Sequence, residues 1–171
     1  MKISGRTIRQ RLYGITRVGN RLSRARYFRG HGVHSPFVYN VVRQVFMRST
    51  LAVEEDALFG DMISAGVPRK RAVQLRNLAA HCSYERVGLD CECEGLDMVV
   101  LTANTPSAEL VQRAEQARSC GTNLAIIAPY ACRERNEACK AIIAAHRSTT
   151  VDNRGYLLVF NNHLPKQHFK L

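Results

Sequence analysis

The chain is expected to form an α/β fold, a largely parallel sheet closed by a hairpin and preceded by a basic helical region. Three observations carry this. Short apolar runs with β-branched residues, Met98–Thr102 and Leu124–Ala128, alternate with longer stretches of helical period. Turn and cap signals, Thr105-Pro106 and Gly121, separate them. The charge is divided unevenly: of a net +11, residues 1–53 hold eleven basic side chains and no acid, and the first acid is Glu54. The remainder is formally neutral. Residues 1–82 therefore read as a basic helical N-terminal region, and 83–171 as the α/β domain.

In the basic region, Ile8, Leu12, Ile15 and Leu22 lie on one helical stripe, with Arg6, Arg9, Arg17, Arg21 and Arg24 mostly off it. Such a stripe docks on its own domain, in a partner's groove or on a membrane surface. Excess positive charge seeks an anionic partner, so residues 1–48 are the expected contact for a polyanion, an acidic protein or an anionic membrane surface. Arg11, Arg26 and Arg29 join the five arginines above as its contact residues. Ser35-Pro36 reads as an N-cap followed by proline at the first helical position, giving a helix from Pro36 to Met47 with apolar residues on several sides. His31 and His34 just before it have no third ligand near in sequence, and a turn-packing role is expected.

Ala52–Ala65 and Val67–His81 read as helices, the second with Ala72, Leu75, Leu78 and Ala79 inward. After the run Met98–Thr102, a helix capped by Thr105-Pro106 runs to Cys120 and stops at Gly121. Leu124–Ala128 is a second buried strand and Arg133–His146 a further helix. Thr149–Val151 and Tyr156–Phe160 then pair around Asn153–Gly155.

With 171 residues and 46% hydrophobic content, the chain can bury one compact core, which excludes disorder throughout. No apolar run reaches the length of a membrane span, and the longest, Leu124–Cys132, is broken by Pro129. The opening MKISGRTIRQRLYG has no hydrophobic stretch of the secretion type. Six cysteines in such a chain read as reduced thiols, and a cytosolic setting is expected.

GHGVHSPFVY at 30–39, RKRAVQLRNLAA at 69–80, LDMVVLTAN at 96–104 and GYLLVFNNHLPKQHFKL at 155–171 resemble a bacterial group of class I S-adenosylmethionine-dependent methyltransferases with a basic helical N-terminus. The resemblance covers most of the chain in order, and it implies a Rossmann-like domain. The family's first strand ends in a glycine-rich loop, E-L-G-x-x-x-G, that lets the cofactor approach. Here the matching stretch is Tyr84–Asp90 with Gly88 alone, and the chain passes through Cys91–Gly95 directly into the strand resembling the family's fourth. The intervening helix–strand–helix–strand material is absent. Where the family keeps an acid after its fourth strand and an Asp-Asp pair after its fifth, this chain has Thr102-Ala103-Asn104 and Pro129-Tyr130-Ala131. The resemblance thus implies an incomplete Rossmann-like sheet without the cofactor cradle.

Geometry bears on the same stretch. A parallel crossover usually takes about ten or more residues. Asp90–Gly95 reads as too short for one, so Arg86–Leu89 is expected to pair antiparallel or not to be a strand, leaving no switch-point crevice beside it.

Cys91-x-Cys93 with His81-Cys82 upstream is the one ligand-like cluster, and it lacks the second knuckle of a zinc site. Cys120, Cys132 and Cys139 read as small core residues, and Asp152 and His146 as isolated. No phosphate loop, GxSxG elbow or HExxH occurs, and no catalytic, metal or cofactor-binding residue is assigned. The leading functional expectation is a non-catalytic binding or scaffold role, with no cofactor where intact relatives take S-adenosylmethionine. A methyltransferase subunit completed by a partner chain and a decayed protein are the alternatives. The flank beside Met98–Thr102, guarded by the acidic run Asp90–Glu94 and covered by the Pro36–Met47 and Val67–His81 helices, is a candidate homodimer surface.

Overall fold

A computed structural model describes residues 35–171, which form a mixed α/β fold around one six-stranded sheet. The first helix among the described residues, α1 (Pro36–Val41), is capped by Ser35, whose hydroxyl accepts from the Val38 amide at 3.4 Å. It widens into a π-turn, Val42–Phe46, closed by Met47 N–H to the Val42 carbonyl at 3.1 Å. Only one side of this segment is buried, through Val38, Val41, Val42 and Val45, while Tyr39 and Met47 are exposed. The next helix, α2 (Ala57–Ser64), starts five residues later than expected, because the Asp56 carboxylate caps it by accepting from Phe59 N at 3.1 Å. Asp56 also binds Arg76 at 2.6 Å, fastening α2 to α3 (Arg69–His81).

Helix α3 buries two polar side chains to hold the segment before α2. Asn77 accepts from Ala52 N at 2.8 Å and donates to the Thr50 carbonyl at 2.9 Å, while Gln74 donates to the Phe46 carbonyl at 2.8 Å. Buried amides satisfied in this way fix a loop that has no secondary structure of its own.

The strands are β1 (Val87–Leu89), β2 (Met98–Leu101), β3 (Asn123–Ile127), β4 (Thr149–Asp152), β5 (Tyr156–Val159) and β6 (Gln167–Lys170). Their order in the sheet is β1-β2-β3-β5-β4-β6. Between β2 and β3 lie a short tight turn, Ser107–Glu109, and α4 (Leu110–Cys120), and between β3 and β4 lies α5 (Arg133–Ala145). Gly121 ends α4 in the left-handed conformation, φ 72°, as its position just past the helix predicts.

One strand corrects the sequence reading. β1 is a strand, and it runs parallel to β2 in the register Val87–Met98 through Leu89–Val100. The eight residues 90–97 suffice because β1 is only three residues long. The return must climb about 10 Å and step sideways by one strand spacing, well within the reach of eight extended residues. The crossover length expected from sequence belongs to strands of ordinary length bridged by a helix. Asp90 (φ 47°) and Gly95 (φ 69°) turn the chain at either end of this loop. Asp97 then clasps the amino ends of the two strands, its carboxylate accepting from Glu85 N at 3.0 Å and Arg86 N at 2.8 Å. These backbone bonds, Arg86 first, hold the Asp97 pKa below its ordinary value.

The tail supplies the other difference: β6 lies parallel to β4, with Thr150 opposite His168 and Asp152 opposite Lys170. The antiparallel β5 sits between β3 and β4, so the expected hairpin closes the sheet.

Side chains alternate between two cores. One face packs Met98, Val100, Ala125, Val151, Tyr156 and Leu158 against α1, α2 and α3. The other packs Val99, Leu101, Leu124, Ile126, Leu157 and Val159 against α4 and α5. Helices 36–81 and one face of the sheet therefore share the first of these cores. At the β1 flank, α2 contacts the strand, and Val87 and Leu89 pack against the cluster to which α1, α2 and α3 all contribute. No helix among the described residues is long and apolar enough to cross a membrane.

Candidate functional site at the carboxyl ends of the strands

Open α/β sheets place ligands outside the carboxyl ends of their strands. At the ends of β1, β2 and β3 these positions are filled by the protein's own groups. The Asp90 carboxylate accepts from Thr102 N at 2.7 Å, from the Thr102 hydroxyl at 2.5 Å and from the Thr105 hydroxyl. Asp90 therefore turns inward and is not the edge guard expected from sequence. Glu92 is drawn aside by Arg113 at 2.7 Å.

Beside this knot lies Arg135, on the first turns of α5 and 3% exposed. Its guanidinium donates to three carbonyl oxygens, of Ile127 at 3.0 Å and of Thr102 and Thr105 at 2.8 Å each. Desolvation pulls its pKa down, opposed by Cys139, Cys132 and Asp90, and a guanidinium stays charged through such a shift. One buried cation thus ties the ends of β2 and β3 together. Asp90 was read from sequence only as part of the acidic run Asp90–Glu94, and Arg135 was not singled out. Both gain their partners from residues twelve or more positions away, apart from the eight-residue step from Arg135 to Ile127.

Gly88, the single glycine where the resemblance calls for a loop of several, is also occupied. A β-carbon there would run into the Cys91 sulfur and come within 2.8 Å of Leu96 Cδ1. The space that its missing side chain frees holds the chain's own β1–β2 loop.

The cysteines do not converge. Cys82 packs on the α1–α3 side of the sheet and Cys93 on the α4–α5 side. Among the described residues no group of three or more His, Cys, Asp or Glu side chains is placed to hold a metal. Cys132 caps α5 through its sulfur, 3.4 Å from Arg135 N. Cys139 is core, and burial pushes its thiol up to about 12. Cys120, expected in the core, is exposed, because the α4 stripe of Leu110, Ala114 and Ala117 turns it outward.

Asp152 and His146 are not isolated either. His146 is buried with Nε2 2.8 Å from the Phe160 carbonyl, and burial, chiefly, lowers its pKa. Asp152 is 2% exposed and accepts from the Tyr130 hydroxyl and from Arg154 N at 3.0 Å. His146, beside Phe160, lies at the opposite edge of the sheet from Asp152, which ends β4 and belongs to the far half of the carboxyl-end surface, where a groove of about 330 Å³ opens. Its floor is Asp152, Leu157, His168 and Lys170, its wall the α5 face with Asn136, Cys139, Lys140 and Ile143, and its end Pro129 and Tyr130. The pair Pro129-Tyr130, noted in sequence only for the missing acids, thus lines a groove at these strand ends.

The arginines expected to contact a polyanion or partner, Arg6, Arg9, Arg11, Arg17, Arg21, Arg24, Arg26 and Arg29, lie outside the described residues, as do His31 and His34. Of the same basic stretch, Arg43 and Arg48 are described and exposed. Together, fold and site define a mixed α/β protein with a six-stranded sheet whose strand ends are half sealed and half open. No protein-family model matches the chain, and neither the curated proteins nor the solved structures give a match.

Proposed function

We propose that this chain is a methyltransferase-like, incomplete Rossmann-like protein with a non-catalytic binding or scaffold role in the cytosol. The observation that carries the reading is the sealed end of β1–β3, where Asp90, Thr102, Thr105 and Arg135 satisfy one another. The strands resembling the family's first, fourth and fifth lie side by side and parallel in that order, which supports the relationship. Where that family seats its cofactor, Gly88 is packed against Cys91 and Leu96. These residues do not fit a bound nucleoside there, and no chemical step is derived through one. The basic stretch, with eleven cations and no acid in residues 1–53, is the proposed contact for a polyanionic partner.

Calorimetric titration of the full chain with S-adenosylmethionine and S-adenosylhomocysteine tests the first part. No binding is expected, and micromolar affinity for either overturns it. For the basic stretch, retention on heparin should fall steeply with salt as counterions are released. Deleting residues 1–30 should remove it, and unchanged retention would place the contact elsewhere. A second reading, a subunit completed by a partner chain, is favoured by the half-exposed edge strand β1, which pairs only with β2 among the described residues. Recovery of cofactor binding on mixing with a partner would establish it.

A further inference from the structure

We propose that the groove between α5 and the strands β4 and β6 binds a small organic anion with an apolar body, an aromatic carboxylate or sulfonate. Its volume of about 330 Å³ matches a small ligand. Cys139, Ile143 and Leu157 give it an apolar lining, and Pro129 closes one end.

The polar groups sort by charge. The one carboxylate on the floor, Asp152, already accepts from the groove's Tyr130 hydroxyl and from the Arg154 amide outside it, so its oxygens are engaged by donors of the chain itself. The rim is cationic: Lys140 on the wall and Lys170 on the outer strand both line the groove and are exposed. Lys166 stands outside the groove, at the C-terminal end of α5, where it donates to the Ala144 carbonyl at 2.8 Å. The His168 imidazole lies between strand and rim, its Nδ1 2.8 Å from the Thr150 hydroxyl. Glu137 pairs with Lys140 at 2.9 Å, but both are more than half exposed, and such a pair is weak. Residues 161–171, which form the outer lip, include two lysines and two histidines and no acid.

An apolar trough under a positive rim selects an amphiphilic anion. The ring lies along α5 over Leu157, and the acid group meets Lys140 and Lys170. A cation would face the two ammonium groups, and a neutral sugar would leave the apolar wall unsatisfied. This site lies apart from the sealed ends of β1–β3, and it stands or falls independently of the methyltransferase resemblance.

The probe is anilinonaphthalenesulfonate, titrated by fluorescence against the full chain, with the uncharged phenylnaphthylamine in parallel. Saturable one-to-one binding of the sulfonate is expected. Ala144→Phe, at an exposed position lining the groove, should abolish it with circular dichroism unchanged. Lys170→Gln should weaken the sulfonate about five-fold, the worth of one exposed ion pair, and leave the neutral dye unaffected. If Ala144→Phe fails to fold, the pair Lys140→Gln and Lys170→Gln carries the test, since both side chains are exposed. Absence of saturable binding overturns the proposal. So do variants that titrate like the parent, which would place the dye on the basic stretch.

Discussion

Arg135→Met is the sharpest test of how the strand ends are held. The substitution keeps the aliphatic length and removes five N–H donors. Three carbonyl oxygens, of Ile127, Thr102 and Thr105, lose a charged donor at 2.8–3.0 Å. A buried polar group left without its partner costs about 1–3 kcal/mol, so three approach 3–9 kcal/mol before relaxation. Relief of the buried guanidinium's desolvation opposes this, and water can reach some of the oxygens. The net expectation is about 3–5 kcal/mol, the usual cost of removing one side of a buried charged cluster. For a chain of this length, that lowers the melting temperature by about 10–15 °C. Arg135→Lys should recover less than half, because a single ammonium cannot reach three oxygens in a fixed fork. Because Asp90 and Arg135 both bind the Thr102–Thr105 turn, Asp90→Asn combined with Arg135→Met should cost less than the sum of the single changes. Urea unfolding at neutral pH, followed by far-ultraviolet circular dichroism, measures each. A cost below about 1 kcal/mol for Arg135→Met would refute the role of the guanidinium as the tie.

The remaining predictions follow from packing and titration. Gly88→Ala should destabilise by about 1–3 kcal/mol through overpacking against Cys91 and Leu96, and adding Cys91→Ala should recover part of the loss in the same urea assay. In the native chain, Cys91 and Cys120 should react rapidly with a chromogenic disulfide reagent, whereas Cys93 and Cys139 wait for unfolding; rapid labelling of Cys139 would contradict its burial. His146 has a folded pKa below its ordinary value of 6.5, chiefly from burial. The unfolded chain therefore takes up a proton first, and stability should fall as pH drops below about 6.5 toward the folded pKa. His146→Gln, which keeps a donor for the Phe160 carbonyl, should flatten that slope in unfolding curves taken across the range.

Local pattern made most of the fold readable. The strand runs at 98–102 and 124–128, the Ser35 cap, the Gly121 stop and the inner stripe of α3 each depend on residues within one turn or one run. Features set by distant partners were not readable. The start of α2 depends on Asp56 binding both Phe59 and Arg76, and the loop before it depends on Asn77, twenty-five residues away from Ala52. β6 escaped because QHFK has no alternating apolar pattern; only Phe169 turns toward the core, and the strand exists by pairing with β4. Arg135 is one of three basic side chains interspersed with two acids on α5, and nothing local marks it as buried. Its burial follows from β3 delivering the Ile127 carbonyl beneath α5.

The parallel pairing of β1 changes the reason for the missing crevice. In an open α/β sheet the crevice forms where successive connections leave toward opposite faces, at a reversal of strand order. Here the parallel strands advance in one direction, β1 to β2 to β3 and on to β4 with only the antiparallel β5 inserted. Right-handed crossovers that keep stepping the same way put their helices on the same face. α4 and α5 share one face accordingly, and the β1–β2 loop joins them there through Cys93 and Leu96. The parallel strands β1 to β4 of the described sheet therefore have no reversal at which a crevice would open, and the groups at the first three strand ends are free to bind one another. The groove opens instead beside the last helix, where β4 and β6 extend the sheet beyond α5 and no further helix among the described residues follows. The proposed ligand site at that edge follows from parallel strands that step in one direction, with the antiparallel β5 alone set back between β3 and β4.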